Sequence, residues 1–174
     1  MNFIPRSILF LAFPLLFSVC AAAQDRRGPS TPDERAMAVK AARLLESDPF
    51  NADADKIRKW FTLWLIEIPD ISIEVCGAYL GPVLSSKKNY SSEIFTQTMF
   101  SSAAFIIEHP DQAKDRVAVN LAGVEGALRI YESILKTRPK ARWEFLDELV
   151  AKRDKGELRA YIEEITRTKC KSKV

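Results

Sequence analysis

Residues 57–68, IRKWFTLWLIEI, constrain the fold more than any other stretch of the chain. Ile57, Trp60, Phe61, Trp64, Leu65 and Ile68 recur at steps of three and four, which is one broad face of an α-helix. Leu63 and Ile66 add apolar surface on a second side. A helix apolar on more than one side needs several neighbours to cover it, so the pattern predicts a central core helix. The stretch is shorter than the roughly 20 apolar residues that a bilayer requires.

Helical signals run through the rest of the chain. Thr31-Pro32-Asp33-Glu34 combines a capping hydroxyl, a proline where a missing N–H costs nothing, and a capping-box glutamate. It opens a helix to about Glu46, with Met37, Ala41, Leu44 and Leu45 facing inward. Ser47-Asp48-Pro49 stops that helix, and Asn51 is placed to cap the next one, which ends at Pro69. Residues 70–75 alternate apolar and polar as a strand would. With no partner strand in view, a short helix from the Asp70 cap, carrying Ile71, Val75, Ala78 and Tyr79, is the expectation.

After a surface loop over residues 85–92 comes a helix to about Glu108, rich in Phe95, Met99, Phe100, Phe105, Ile106 and Ile107. The longest helix covers 111–137, and its Ala118, Ala122 and Gly126, four apart, leave room for a neighbouring backbone. Two amphipathic helices follow, one with Trp143, Leu146 and Val150, the other with Leu158, Tyr161, Ile162 and Ile165, parted near Gly156. The fold class is all-α: six or seven helices packed as antiparallel hairpins, forming an irregular bundle or a short stack of repeats.

The chain ends carry an address. Arg6, an apolar run over residues 8–19, and small Ala21 and Ala23 before the polar Gln24-Asp25-Arg26-Arg27 have the layout of a cleaved secretory leader, residues 1–23. An uncleaved anchor helix and a lipid anchor at Cys20 are the alternatives, and branched Val19 stands where a lipidated cysteine needs a small residue before it. Residues 24–32 then read as a flexible leader, 33–168 as one helical domain and 169–174 as a basic tail. The formal charge of the 174-residue chain is +3, falling to +2 without Arg6, too balanced to argue for a nucleic-acid partner. Loss of the leader takes Cys20 with it and leaves Cys76 and Cys170, a pair that in an exported protein is expected to be a disulfide.

Ala127-Leu128, Tyr131-Glu132, Leu135 and Pro139, followed by Trp143, Leu146 and Gly156, place small and aromatic residues where paired helices nest and a proline at the turn between them. Over residues 117–168 this resembles tetratricopeptide repeats, as the second helix of one unit and the first of the next. The resemblance implies stacked helices whose concave face holds a partner.

Catalytic constellations are harder to find. His109, the one histidine, sits at a helix end before Pro110, where a capping or surface role explains it. The metal signatures HExxH, CxxC and CxxCH are missing from the sequence. Cys76 with His109 and Asn120 would make a thiol nucleophile only if folding brought them together. Glu67 with Glu74, or Asp115 with Glu125, would serve glycoside hydrolysis only if they met across a cleft. Gly77-Ala78-Tyr79-Leu80-Gly81 lacks the lysine of a phosphate loop.

The expectation is therefore an exported, non-enzymatic helical domain, without a cofactor or metal and without a stable membrane span after leader removal, that binds a protein or peptide. Tyr131, Arg138, Arg142 and Trp143 are the candidate binding residues. A carrier of a small apolar ligand, in a cavity between the Trp60–Ile68 helix and the Phe95–Ile107 helix, is the alternative. A cell-envelope hydrolase built on His109 or paired carboxylates is the third reading.

Overall fold

The computed structural model describes residues 27–74 and 76–170. The expected leader with Cys20, and Lys171 and Lys173 of the basic tail, lie outside the described residues. Among the described residues there are six α-helices and two 3₁₀ segments, and no strand. The helices are α1 (Pro32–Ser47), α2 (Ala54–Glu67), α3 (Ser91–Glu108), α4 (Arg116–Thr137), α5 (Glu144–Asp154) and α6 (Leu158–Thr168). The 3₁₀ segments are Gly77–Val83 and Pro110–Gln112. No helix among them is long and apolar enough to cross a membrane.

The first helix starts as its residues dictate. The Thr31 hydroxyl accepts from the Glu34 N–H at 3.3 Å, and the Glu34 carboxylate accepts from the Thr31 N–H at 2.8 Å, a complete capping box. The chain before it is not loose over residues 27–30. Arg27 bridges Glu34 and Glu67, and Ser30 donates from both its N–H and its hydroxyl to Asp70 at 2.8 and 2.7 Å. On α1 the inner line is Ala38, Ala41, Ala42 and Leu45, whereas Met37 and Leu44, expected inside, are 49% and 37% exposed.

The expected central helix is peripheral. Phe61, Trp64 and Ile68 of the α2 stretch are buried, but Leu63 is 48% and Ile66 75% exposed. Asn51 does not cap it either: its side chain accepts from Asp53 N–H in the preceding turn, and the helix begins at Ala54. The centre is the antiparallel pair α3 and α4. Its contact line is made of small residues, Ser101 and Ser102 on α3 against Gly123 and Gly126 on α4. A Cβ at Gly126 would stand 1.8 Å from Ser101 Oγ, and one at Gly123 would stand 2.8 Å from the Thr98 carbonyl oxygen. Small residues carry little hydropathy, so a reading of apolar periodicity underrates the very helices that pack closest. Helix α4 begins at Arg116, later than expected, because the Asp115 carboxylate caps the Val117 and Ala118 N–H groups at 3.0 Å each.

Two apolar cores flank this pair. One joins α1 and α2 to Phe100, Ala103 and Ala104 of α3, and Phe61 and Phe100 stack with ring centroids 4.1 Å apart. The other joins the Gly77–Val83 segment, α4, α5 and α6 around Tyr79, Leu80, Leu128, Ile134, Leu146 and Ile162. The short helix expected from Asp70 does not form. Residues 71–74 carry no regular structure, with Ile71 buried and Glu74 turned out to Arg116, which holds it through two hydrogen bonds of 2.6 Å. Gly81 adopts φ +51°, and a Cβ there would meet the Phe145 ring at 2.7 Å, so both conformation and space require glycine.

Cys76 and Cys170 form a disulfide across 94 residues, with Cα atoms 5.8 Å apart. It fastens the end of α6 to the Gly77–Val83 segment, alongside a Tyr79–Thr166 hydroxyl hydrogen bond of 2.9 Å.

Two stability outcomes follow from this packing. Gly126→Ala is expected to lower unfolding free energy by about 1–3 kcal/mol in a urea titration, although alanine is the better helix former, because the extra methyl wedges α3 from α4. Thiol titration of the denatured, unreduced chain without its leader should find no free thiol, and Cys76→Ala with Cys170→Ala should cost about 2–4 kcal/mol. Two free thiols would refute the bridge.

Candidate binding groove

The groove lies where the loop after the Gly77–Val83 segment meets the turn between α4 and α5. In that loop Asn89 and Tyr90 both take left-handed backbone conformations, φ 49° and 58°. Asparagine tolerates this region, while for tyrosine it costs on the order of 1 kcal/mol or more. Two hydrogen bonds to the opposite wall hold the strained pair in place. Asn89 Nδ2 donates to the Arg142 carbonyl at 3.2 Å, and Trp143 Nε1 donates to the Asn89 carbonyl at 3.0 Å. The Tyr90 ring meets Phe50 edge-on at 5.1 Å, and the Arg138 guanidinium sits over the same Phe50 ring at 5.3 Å.

Between these walls is an open groove of about 980 Å³. Leu84, Tyr90, Phe95, Pro139 and Ala141 supply its apolar lining, and Lys87, Arg138, Lys140 and Glu93 its charges. The first turn of α3 also lines it, adding the positive end of an 18-residue helix.

The four candidate binding residues fall in this neighbourhood but do different things. Arg138 lines the groove. Tyr131 does not: it is 1% exposed, and its expected place as a groove side chain is corrected to that of an internal strut. Its hydroxyl accepts from the Trp143 N–H at 3.0 Å and lies 2.8 Å from Asp147 Oδ1, to which it donates. Burial, together with the negative Asp147 beside it, pushes the phenol up to about 12, so it stays protonated. Asp147 in turn accepts from Arg142 Nε at 2.6 Å. Tyr131, Arg142 and Trp143 thus set the position of the α4–α5 turn and, through Asn89, of the facing loop. Lys87, Tyr90, Phe95 and Lys140 carry no signal in sequence as lining residues, since a Lys-Lys-Asn-Tyr stretch reads simply as a solvated loop.

A second cleft, about 540 Å³, opens between α1, α3 and α4 and gathers Glu46, Glu108, His109, Glu125, Arg43, Arg129 and Arg159. Here His109 and carboxylates share a cleft, as the hydrolase reading requires. Each of these carboxylates, however, is engaged. Glu46 accepts from Arg129 at 2.8 and 3.0 Å, from Arg43 at 3.0 Å and from Ser101 at 2.7 Å. Glu108 pairs with Arg43 at 2.6 Å and Glu125 with Arg129 at 3.9 Å. Burial alone would raise the Glu46 carboxyl, but the bonds from Arg129 and Ser101 and the two guanidinium charges outweigh it and hold it below its ordinary value of 4.5. A carboxylate so clamped is a poor proton donor or acceptor near neutrality.

The other expected constellations are not assembled. Cys76 is bridged, and the Asn120 amide donates to the Arg116 carbonyl at 2.8 Å. Glu67 pairs with Arg27 and Glu74 with Arg116, while Asp115 caps α4. Among the described residues no group of three or more His, Cys, Asp or Glu is placed to hold a metal ion. The expected ligand cavity between α2 and α3 is filled by the stacked Phe61 and Phe100 rings. A shallow apolar cleft of about 370 Å³ lies instead on the other side of α2, against α1, between Met37, Leu44, Ile57 and Trp60.

The buried carboxylate makes stability pH-dependent. Glu46 and Asp70 are both held low, Asp70 falling from 3.8 to about 2, where burial is outweighed by hydrogen bonds from Ser30 and Arg35. Groups with depressed folded-state values stabilise above their unfolded values and lose that contribution as pH falls through the folded ones. Unfolding free energy should therefore hold from pH 7 to about 5 and fall between about 4.5 and 2. Glu46→Gln should cost about 2–4 kcal/mol at pH 7 and flatten the acid limb, measured by urea titration at each pH.

Compared with protein-family models, with curated proteins and with solved structures, the chain gives no match.

Proposed function

We propose that this chain is an exported helical module that binds a protein or peptide in the groove between the Leu84–Phe95 region and the α4–α5 turn. The observation that carries this reading is the groove itself: an open surface of about 980 Å³, part apolar and part charged, whose two walls are locked together by Asn89, Arg142 and Trp143. A site held in one shape before its ligand arrives loses less ordering entropy on binding. The resemblance of residues 117–168 to tetratricopeptide units favours the same reading, and the clamped carboxylates of the second cleft disfavour hydrolysis. Export rests on the leader-like residues 1–23, and the Cys76–Cys170 bridge suits an oxidising compartment.

A second reading has its own observation. The cleft on α1 and α2, lined by Met37, Leu44, Ile57 and Trp60, is almost wholly apolar and would suit a small apolar ligand. Trp60 reports on it, since an occupant would change its fluorescence.

Crosslinking and affinity capture with the leaderless chain from an envelope or secretion fraction decides between them. One partner should be recovered reproducibly, and Leu84→Asp or Lys140→Glu, both at exposed positions, should cut its recovery by about tenfold or more while leaving the unfolding midpoint unchanged. Recovery unaffected by either variant removes the groove as the binding site. Sequencing of the secreted chain from its N-terminus should begin at Gln24.

A further inference from the structure

The groove holds Arg138, the one arginine among the described residues with no carboxylate within salt-bridge distance, together with two of the many unpaired surface lysines. Arg43, Arg116, Arg129 and Arg153 all hold carboxylates at 2.6–3.0 Å. Among the described residues, Lys87, Arg138 and Lys140 have no carboxylate within salt-bridge distance. Arg138 gives one Nη1 bond to the Thr137 carbonyl and rests on Phe50, an arrangement that orients its guanidinium without neutralising it. Glu93 is the one acid in the lining, so three cations face one anion across a shared space. Such an arrangement is relieved by a bound anion. The positive end of α3 acts in the same direction.

The anion is not a small one by this geometry, nor a bare polymer of phosphates. The groove is open and holds about 980 Å³, and Leu84, 44% exposed, lines it with Phe95 and Ala141 alongside the cations. An apolar lining among cations matches a ligand that carries both carboxylates and apolar side chains. A nucleic-acid backbone presents only the first kind of complement, and binds through phosphate neutralisation by many cations. We propose that the groove recognises an acidic peptide segment of a partner protein. Its carboxylates are set against Lys87, Arg138 and Lys140, and an apolar side chain interleaved with them is set against Leu84 and Phe95. This rests on the groove being the interaction site, and it names the partner's chemistry.

The test is selection of short peptides from a randomised library on the immobilised leaderless chain. Individual binders are then measured by fluorescence anisotropy at low and high salt. The wild type should enrich Asp and Glu beside Leu, Ile or Phe. Binding should weaken several-fold between about 50 and 300 mM salt, as contacts between exposed charges do. Lys87→Glu with Lys140→Glu, both exposed, should lose these binders by about tenfold or more and enrich Lys and Arg instead. Peptides enriched without an acidic bias, yet lost on Leu84→Asp, would overturn the acidic proposal and leave the groove as a peptide site. Failure to enrich any peptide, with partner capture indifferent to Leu84→Asp and Lys140→Glu, would overturn both. A single-stranded oligonucleotide that binds with the same dependence on Lys87 and Lys140, when no acidic peptide does, would assign the groove to nucleic acid and overturn the proposal.

Discussion

The arrangement of this molecule depends on one buried carboxylate. Glu46, 5% exposed at the end of α1, receives Arg43 from its own helix, Ser101 from α3 and Arg129 from α4. One turn earlier on each of α1 and α3, Gln97 reaches the Ala42 carbonyl at 3.1 Å and the Ser101 hydroxyl at 3.0 Å. These groups form a polar seam between two apolar cores. Burying a charge and its partners gains little over an apolar filling of the same shape, and the arginines remain partly in water. What the seam provides is register. Sliding α1 along α3 by one turn would strand the carboxylate without its partners, a loss far larger than any gain from repacked leucines.

The glycines of α4 belong to the same constraint. Ser101 donates to Glu46 from the space above Gly126, where a Cβ would stand 1.8 Å from its Oγ and 2.9 Å from Glu46 Oε1. Close helix approach and the seam therefore share one space. From this fixed pair the chain is tied outward: Arg116 at the start of α4 holds both Glu74 and the Cys170 carbonyl, beside the disulfide, and Tyr131 on α4 holds the α4–α5 turn. The groove walls are thus extensions of α3 and α4, and their geometry is inherited from the seam.

How much of this was legible in the sequence depends on the range of the signal. The α1 capping box, the stop at Pro139 and the Cys76–Cys170 pairing were legible because each rests on local chemistry or on counting. The central role given to the Ile57–Ile68 stretch was not correct, since apolar content measures what a helix could bury and says nothing of which neighbours reach it. Ile66 at 75% exposure and buried Gln97 at 1% are opposite cases of that failure. Gln97, Ser101 and Glu46 read as surface residues one at a time and become interior only when three helices bring their polar atoms together. The groove was half legible. Arg138 lies in its lining and Trp143 braces it, while the facing loop depends on left-handed Asn89 and Tyr90, a conformation that no residue type in that loop demands.

Charge pairing separates the two clefts more sharply than their shapes do. In the cleft around Glu46, Arg43 and Arg129 pair with the three acids, and the Arg43–Glu108 and Arg129–Glu46 pairs join α1 to α3 and α4. Neutralisation there is complete enough that an incoming charged ligand would have to displace a structural partner. In the groove beside Asn89, the walls are joined by backbone carbonyls, an amide and an indole, backed by the Arg142–Asp147 pair, and Lys87 and Lys140 stay outside that scaffold. Lys87 and Lys140 make no hydrogen bond or ion pair in that scaffold, so their charges can change without unfolding the chain. It is there, and not at the seam, that specificity for a ligand can be varied independently of the fold.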